Sequence, residues 1–491
     1  MSSATLPTGA ATRLVVYRKR RNVELLMVLL ACLIGLGGWL LTEINLYGHA
    51  PTSWMRVSLL WIGMSVLCHL VVRWRAPYAD PLILPCVVAL NGLGLAMIHR
   101  IDQIPDPIRH DATLQFVWTG LGMALFAAVI VFVRDPRRLQ RFPYLLFIAG
   151  VALLLLPLMP GIGVETMGAN IWIRIGPMSF QPSEVAKILL ALAFAAYLVE
   201  KREVLALSGF RLGPIQFPRL RDLGPIALMW VACMLVLVFQ NDLGTALLFF
   251  GLFVIMLYVA TERPGWPIVG ALLMVIGGIG AYLFTGHVKV RVSSWLHPFE
   301  NYEQNLQVIS GQFGMAWGGL TGRGWGLGRP GLTPLAKSDF ISAAIGEEVG
   351  LFGLVAVVML YAFIVARGLR MSLASHDPYL KLLACGLSFT FALQVFAIIG
   401  GVTRLLPLTG LTTPFMSQGG SSMIANWTII GAMMVISHHA RRPVETAISL
   451  DEPTATDLRA DETQLLTARP ATRGATTRAT TRGATTGGVT A

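Results

Sequence analysis

Apolar residues run along this chain in blocks that are too long for a soluble core. Read against their flanks, the blocks fall at 24–44, 57–72, 81–98, 114–133, 142–158, 184–200, 225–239, 242–260, 267–285, 339–366, 380–402 and 423–439. Each approaches the ~20 residues that an α-helix needs to cross a hydrocarbon core of ~30 Å. The pattern therefore predicts an all-α polytopic membrane protein of about 12 transmembrane helices, in a range of 10–12. The seventh and eighth blocks touch through Gln240-Asn241-Asp242, and a large outer loop, 286–338, separates the ninth from the tenth.

Polar positions between the blocks set the orientation. The cluster Arg18-Lys19-Arg20-Arg21, Arg73 and Arg75, the Arg134–Arg138 run, the segment from Lys201 to Arg221, Arg367 and Arg370, and Arg441-Arg442 all fall on one side. The positive-inside rule makes that side the cytoplasm and places both termini there. The segments 99–113, 159–183, 286–338 and 403–422 then share the outer side. Three regions follow: a basic N-terminal segment (1–22), a transmembrane domain (23–439) and a tail (440–491). The tail ends in a repeat of Ala, Thr, Arg and Gly that has almost no large apolar residue, so it is expected to be disordered. No cleavage pattern follows the first apolar run, which is too long for a signal h-region.

Composition agrees with a membrane chain. Hydrophobic residues make up 55% and charged residues 13%, against about a quarter charged in soluble domains. The net charge of +12 sits in short loops between apolar blocks, which argues for the membrane pattern and against a nucleic-acid partner. All five cysteines lie inside apolar blocks, and the nine histidines show no metal-ligand spacing. No phosphate-binding Gly-x-x-x-x-Gly-Lys-Ser/Thr occurs, so ATP coupling is not expected.

Charges inside apolar blocks are the candidate chemistry, because each costs roughly 2.5–3.5 kcal/mol at a bilayer centre. Glu184 and Lys187 lie at i, i+3 on one face of a helix that Ser183, after Gln181-Pro182, is placed to cap. They suit either an ion pair between helices or a substrate-facing pair. Asp242 stands at the start of a helix, as a cap or as a site carboxylate. Asp339 opens a block that carries Glu347 and Glu348, for which Lys187 and Arg404 are candidate partners by depth. The 286–338 loop mixes Trp295, Trp317 and Trp325 with Lys289, Arg291, Arg323, Arg329 and Lys337 around a Gly-rich run. This composition fits an interfacial belt or a sugar-phosphate ligand.

Several blocks then resemble a known family. They are Gly168-Ala169-Asn170-Ile171-Trp172-Ile173-Arg174 with Gln181-Pro182-Ser183-Glu184-Val185-Ala186-Lys187, and Asp242-Leu243-Gly244-Thr245. Further along come Trp295 to Pro298, Ser338-Asp339-Phe340 with Gly346-Glu347-Glu348-Val349-Gly350, and Pro414-Phe415-Met416-Ser417-Gln418-Gly419-Gly420-Ser421-Ser422. In this order they resemble the SEDS proteins (RodA, FtsW and SpoVE) over roughly residues 140–440. The Gly401–Gly410 stretch and the extra N-terminal spans are similar to the actinobacterial RodA-like branch.

The resemblance implies a peptidoglycan glycosyltransferase in the bacterial plasma membrane, with its active face extracytoplasmic. It would polymerise lipid II, a disaccharide-peptide on undecaprenyl or decaprenyl pyrophosphate, beside a class B penicillin-binding protein in elongation or division. Its substrate-binding set would be Arg174, Gln181, Ser183, Glu184, Lys187, Asp242, Lys289, Arg291, Asp339, Glu347, Glu348, Arg404, Ser417, Gly419, Gly420, Ser421 and Ser422. No cofactor is required, although a pyrophosphate leaving group admits a divalent cation, Mg²⁺ or Mn²⁺. The family's catalytic Asp follows a Pro in the outer loop, and His297-Pro298-Phe299-Glu300-Asn301-Tyr302-Glu303 contains none. Counting from Pro298 places Asn301 at that position and counting back from Gln307 places Glu300, so Glu300 is the expected base, with Asn301 and Glu303 as alternatives. Lys337 and Gln418 stand where the family usually has His and Tyr. Two other classes stay open: a non-enzymatic scaffold or lipid II binder, and a flippase for the lipid-linked precursor.

Overall fold

Strings of Leu, Val, Ala and Gly with few competing polar groups satisfy their backbone internally, so they coil into helices. In a computed structural model that describes residues 19–104, 111–166, 169–176, 178–206, 210–212, 215–217 and 220–443, the first four are α1 (Arg21–Tyr47), α2 (Trp54–Arg75), α3 (Ile83–Asp102) and α4 (Asp111–Phe132). Next come α5 (Pro143–Leu155), α6 (Pro182–Ala206), α7 (Leu220–Phe239), α8 (Leu243–Thr261) and α9 (Gly265–Phe284). The rest are α10 (Gly286–Leu296), α11 (Tyr302–Gly318), α12 (Ile341–Ala374), α13 (Pro378–Val402) and α14 (Gly420–Arg441). Among the described residues, ten helices are long and apolar enough to cross a membrane, and shorter apolar helices occupy the fifth and seventh expected positions. Gly168 of the first motif block and the tail from 444 onward lie outside the described residues.

The fold is mostly helical, as expected, and two details refine it. The 286–338 segment is not simply a loop, because α10 and α11 occupy most of its first half. Charges such as Lys289 and Arg291 interrupt its apolar positions, so an amphipathic helix there shows no block of membrane length. Nor is the fold strictly all-α. Gly163–Thr166 (β1), Ala169–Ile175 (β2) and Met178–Phe180 (β3) form an antiparallel meander, and Phe210–Leu212 (β4) pairs with Ile215–Phe217 (β5). The alternation along Asn170-Ile171-Trp172-Ile173-Arg174 has the period of a strand.

Small residues let the helices approach closely. A Cβ on Gly35 of α1 would sit 2.6 Å from the Gly92 Cα of α3, and one on Gly94 would sit 2.5 Å from the Met416 Cα. Membrane helices associate through such contacts, since lipid gives apolar side chains no reason to pair. Gly35→Val is expected to destabilise the α1–α3 seam by about 1–3 kcal/mol, read as a lower midpoint in thermal unfolding of the detergent-solubilised protein. Farther along α3, Asn91 Nδ2 donates to the Phe415 carbonyl at 3.1 Å, and Trp427 Nε1 donates to Asn91 Oδ1 at 3.2 Å. Trp427 is fully buried, edge-on to Phe126 and Phe415, so α3, α4, α14 and the 403–419 segment share one core.

The bundle has two chemically distinct ends. At one, Asp80 accepts hydrogen bonds from Arg367 (2.6 Å) and Arg441, Arg21 reaches the Ala79 carbonyl, and Arg137 pairs with Asp377 at 3.1 Å. At the other, the four segments assigned to a common side by their charge converge. The Gln418 amide donates to the Lys337 carbonyl (2.8 Å), Lys337 Nζ donates to Asp102 (2.5 Å) and Asp111 (2.9 Å), and the Asn170 amide donates to the Gln240 carbonyl (3.2 Å).

At this second end α12 is broken. Gly350 takes φ 74°, a left-handed value that favours glycine, and the helix loses its own hydrogen bonds around it. The Gly-rich stretch after α11 supplies replacements. The amides of Leu351 and Phe352 donate to the Gly319 and Leu320 carbonyls at 2.9 and 3.1 Å, while those of Arg323 and Gly324 donate to the Glu347 and Glu348 carbonyls at 3.1 and 2.9 Å. Irregular backbone inside a membrane bundle survives where protein satisfies it, as here.

Candidate functional site

Near α6's start, Lys187 Nζ donates to Glu184 Oε2 at 2.9 Å and to Gln394 Oε1 of α13 at 3.0 Å. All three are buried, and so is Gln181. Ser183 does not cap the helix as expected. Pro182, with its fixed φ, already opens α6, and Ser183 lies inside it, where its hydroxyl accepts from Gln181 Nε2 at 3.0 Å. The chain of bonds continues: Gln394 Nε2 donates to the Thr412 carbonyl (2.9 Å), Thr412 Oγ1 to Ser422 Oγ (2.8 Å), and Asn426 Nδ2 to the same hydroxyl (3.1 Å). This line of polar groups ties α6 and α13 to the start of α14.

Beside it sits a second group. Asn241 at φ 58° turns the chain between α7 and α8, and Asp242 Oδ1 accepts the Thr245 amide at 2.9 Å as the N-cap of α8. Its other oxygen, Oδ2, is buried and has no protein partner. Arg291 of α10 faces it. Burial lowers the Arg291 guanidinium from its usual range, and the neighbouring carboxylates of Asp242 and Asp339 oppose that shift. Arg291 Nη1 donates to the Leu408 and Thr409 carbonyls, each at 3.2 Å. Gly410, at φ 71°, is where the two side chains meet: a Cβ there would lie 3.6 Å from Arg291 Nη2 and 4.0 Å from Asp339 Oδ2. Burial pushes the Asp339 carboxyl up to about 6, against the pull of Arg291 and of the Ser338 hydroxyl. Arg404 and Trp295 close the arrangement reciprocally. The guanidinium donates to the Trp295 carbonyl at 2.9 and 3.2 Å, and the indole donates to the Arg404 carbonyl at 2.9 Å. Arg291, Trp295, Gln304, Asp339 and Arg404 line one cavity of about 240 Å³.

Other expected site residues lie around this core. Glu300 stands in the turn between α10 and α11, with its side chain 66% exposed and 3.8 Å from His297 Nδ1. Asn301 precedes the first residue of α11, Glu303 lies in its first turn, and both are exposed. Pro298 is fixed beneath them by the buried Asn305, whose amide donates to the Pro298 carbonyl at 2.8 Å. Lys289 and Arg174 are exposed, the latter on β2. Ser417 Oγ donates to the Ser338 carbonyl at 2.5 Å, and the Gly419 amide donates to Gln115 Oε1 at 3.1 Å. Gly420 leaves room for the Trp118 ring, and the buried Ser421 hydroxyl has no protein partner.

Glu347 and Glu348 find different partners from those suggested by depth. Lys187 is taken by Glu184, and Arg404 by Trp295. Arg100 of α3 donates from Nε to Glu348 Oε1 at 3.0 Å, the Gly326 amide donates to Oε2 at 2.9 Å, and the Arg329 amide donates to Glu347 Oε1 at 2.5 Å. Arg100 also donates to the Gly328 carbonyl at 2.9 Å, so the acids hold the Gly-rich stretch in place. Sequence reading missed Arg100 because it sits at the edge of an apolar block, where a snorkelling Arg is ordinary. It also missed Asp102 and Asp111, which clasp Lys337. Burial alone would lower Lys337, but these two carboxylates outweigh it and raise the ammonium above its usual range.

Sequence comparison bears on this arrangement. The model of the FtsW/RodA/SpoVE family, described as a cell cycle protein, matches residues 81–442. The chain belongs to this SEDS family. Among its relatives is the peptidoglycan glycosyltransferase RodA of Mycobacterium tuberculosis, 44% identical over 433 residues, covering 87% of this chain and 92% of the relative. Stage V sporulation protein E of Bacillus subtilis is 30% identical over 371 residues, covering 74% and 98%. The crystal structure of the rod shape determining protein RodA of Thermus thermophilus superposes with a TM-score of 0.53 at 25% identity, covering 76% of this chain and 99% of that one. A chain from a peptidoglycan synthase complex, described for its structural coordination of polymerization and crosslinking, does so with a TM-score of 0.61 at 26% identity, covering 74% and 99%. In this SEDS chain, α1 and α2 precede the matched residues, whereas every element of the cavity lies within them.

Proposed function

We propose that the protein is a peptidoglycan glycosyltransferase that polymerises lipid II at the extracytoplasmic face of the bacterial plasma membrane. The observation that carries this reading is the convergence of Asp242, Arg291, Asp339, Arg404 and the Glu184–Lys187 pair at the bundle end remote from the basic cluster, in a chain whose relatives are named for that activity. Strand growth requires a base for the acceptor hydroxyl and cations for the departing pyrophosphate. Arg291 and Arg404 supply cations at the cavity wall. Glu300, between the cavity-lining residues Trp295 and Gln304, is the proposed base, and its exposure leaves it free to meet a hydroxyl carried by a second lipid. We assign no resident metal, because a divalent cation here would be held by one or two carboxylates together with the pyrophosphate of the substrate. Among the described residues no three His, Cys, Asp or Glu converge, and the carboxylates nearest the cavity face Arg291.

We propose a crosslinking partner of the class B penicillin-binding type, a reading supported by the similarity of this fold to a chain of a complex that coordinates polymerization and crosslinking. An apolar groove between α12 and α13, lined by residues such as Ala362, Ala366 and Ala392, offers small side chains against which one partner helix can pack.

One observation favours a second assignment of the base: Asp339 is the carboxyl in the cavity wall whose ionisation falls near neutrality. With Asp339 as base, polymerisation rises as pH increases through about 6, where the carboxylate forms, and Asp339→Asn removes both the activity and that limb. With Glu300 as base, Asp339→Asn retains turnover. Rates measured on purified lipid II from pH 5 to 8 separate the two.

A further inference from the structure

At the basic end of the bundle α2, α4 and α14 finish together, at Arg75, Phe132 and Arg441. A pocket of about 330 Å³ opens there, rimmed by Arg75, Arg134, His438, His439 and Arg442 over an apolar floor that includes Val133. None of its lining residues is an Asp or Glu. The acids adjoining it in sequence are committed elsewhere: Asp80 to Arg367 and Arg441, and Asp135 to capping the Arg137 amide.

Cations at helix C-termini on the cytoplasmic side are ordinary, and part of this set has ordinary uses. Arg75 Nη2 donates to the Val131 carbonyl at 3.0 Å, and the His439 ring contacts the Val435 carbonyl at 2.9 Å. What remains has no such use. Arg75 Nε is buried with no hydrogen-bond partner, although the guanidinium lies 5.3 Å from the centroid of the Trp74 ring. The exposed side chains of Arg134 and Arg442 have no hydrogen-bond or ion-pair partner among the described residues. These donors surround a concavity that offers them no acid. Trp74 and Phe132 stand beside it, 71% and 81% exposed, as aromatic side chains do at headgroup depth.

We propose that this pocket binds the phosphate of an anionic phospholipid from the cytoplasmic leaflet, with its acyl chains along the apolar floor. A soluble anion would use the cationic rim but leave that floor uncovered, so the lipid is the better match to both surfaces. The site spans a seam. Arg75 belongs to the N-terminal helices before the matched region 81–442, whereas Arg134 and Arg442 lie within it. A bound lipid therefore clasps the extension to the family core.

The test is native mass spectrometry of the full-length protein in micelles supplemented with phosphatidylglycerol, phosphatidylcholine or inorganic phosphate. The wild type is expected to retain phosphatidylglycerol in preference to phosphatidylcholine, with inorganic phosphate failing to displace it. Arg134→Gln/Arg442→Gln is expected to weaken that retention about 30-fold, since each Arg near an anionic headgroup is worth a factor of about five. Both side chains are exposed, so the variant should keep the wild-type thermal midpoint, and Arg134→Lys/Arg442→Lys should restore much of the binding. Equal retention of the two lipids, unchanged retention by the Gln variant, or displacement by millimolar phosphate would each overturn the assignment. None of these outcomes depends on polymerase activity.

Discussion

Glu300→Gln is expected to cut lipid II polymerisation by about 10²–10⁴-fold, the usual worth of a positioned general base, while the protein inserts and unfolds as the wild type does. The second half of this expectation makes the first interpretable. The Glu300 side chain is 66% exposed and its ion-pair partner among the described residues is the likewise exposed His297, at 3.8 Å, so its loss leaves no buried cavity and no buried group unpaired. Any large fall in glycan is then chemical. Asn301→Asp moves a carboxylate one residue toward α11 and is expected to restore part of the Glu300→Gln defect, and Glu303→Gln should stay within a few-fold of wild type. Retained synthesis by Glu300→Gln together with its loss in Asp339→Asn would transfer the role to the cavity wall. A wild-type protein that makes no glycan even when a class B penicillin-binding protein is supplied, yet gains activity from Asn301→Asp, would favour the scaffold reading.

The largest loss of stability is expected from Arg100→Met. Its guanidinium lies 3.0 Å from Glu348 Oε1, and both side chains are nearly sealed from solvent. Removing one partner of a buried pair typically costs about 3–5 kcal/mol, because the remaining charge keeps its desolvation penalty without compensation. The double variant Arg100→Met/Glu348→Met removes the stranded charge and is expected to recover most of that loss. Thermal unfolding in detergent reads both. A single variant that unfolds with the wild type, or a double variant no better than the single, would refute the pairing. Gly326 and Gly328 should loosen with it, since the Gly326 amide donates to Glu348 and Arg100 donates to the Gly328 carbonyl.

Membrane architecture was readable in the chain because it depends on long windows. Twelve apolar blocks and the positions of the arginines sufficed to place the segments 99–113, 159–183, 286–338 and 403–422 at one end, where Lys337 bonds to Asp102, Asp111 and Gln418 and Asp111, Trp172, Ser338 and Gln418 line one pocket. Features governed by short periods were harder to see. The strand alternation in Asn170–Arg174 and the amphipathic α10 both disappear in a membrane-length average. The candidate site was partly legible for a similar reason. Glu184 with Lys187 is a local i, i+3 pair, visible from spacing alone. The placing of Arg291 near Asp339 and the pairing of Arg100 with Glu348 join residues 48 and 248 positions apart, and nothing local encodes either. Arg404, at φ 59° and bonded to the Trp295 carbonyl, likewise depends on a turn that forms only once α13 has ended.

The interruption of α12 at Gly350 carries a consequence for biogenesis. A segment that leaves the translocon with two bare amides and two bare carbonyls in mid-helix cannot settle alone in hydrocarbon, where each unsatisfied group costs several kcal/mol. Leu351, Phe352, Glu347 and Glu348 find their missing bonds only on the stretch that emerges just before them, from Gly319 to Gly324. Integration of this span is therefore expected to be coupled to closure of its preceding turn.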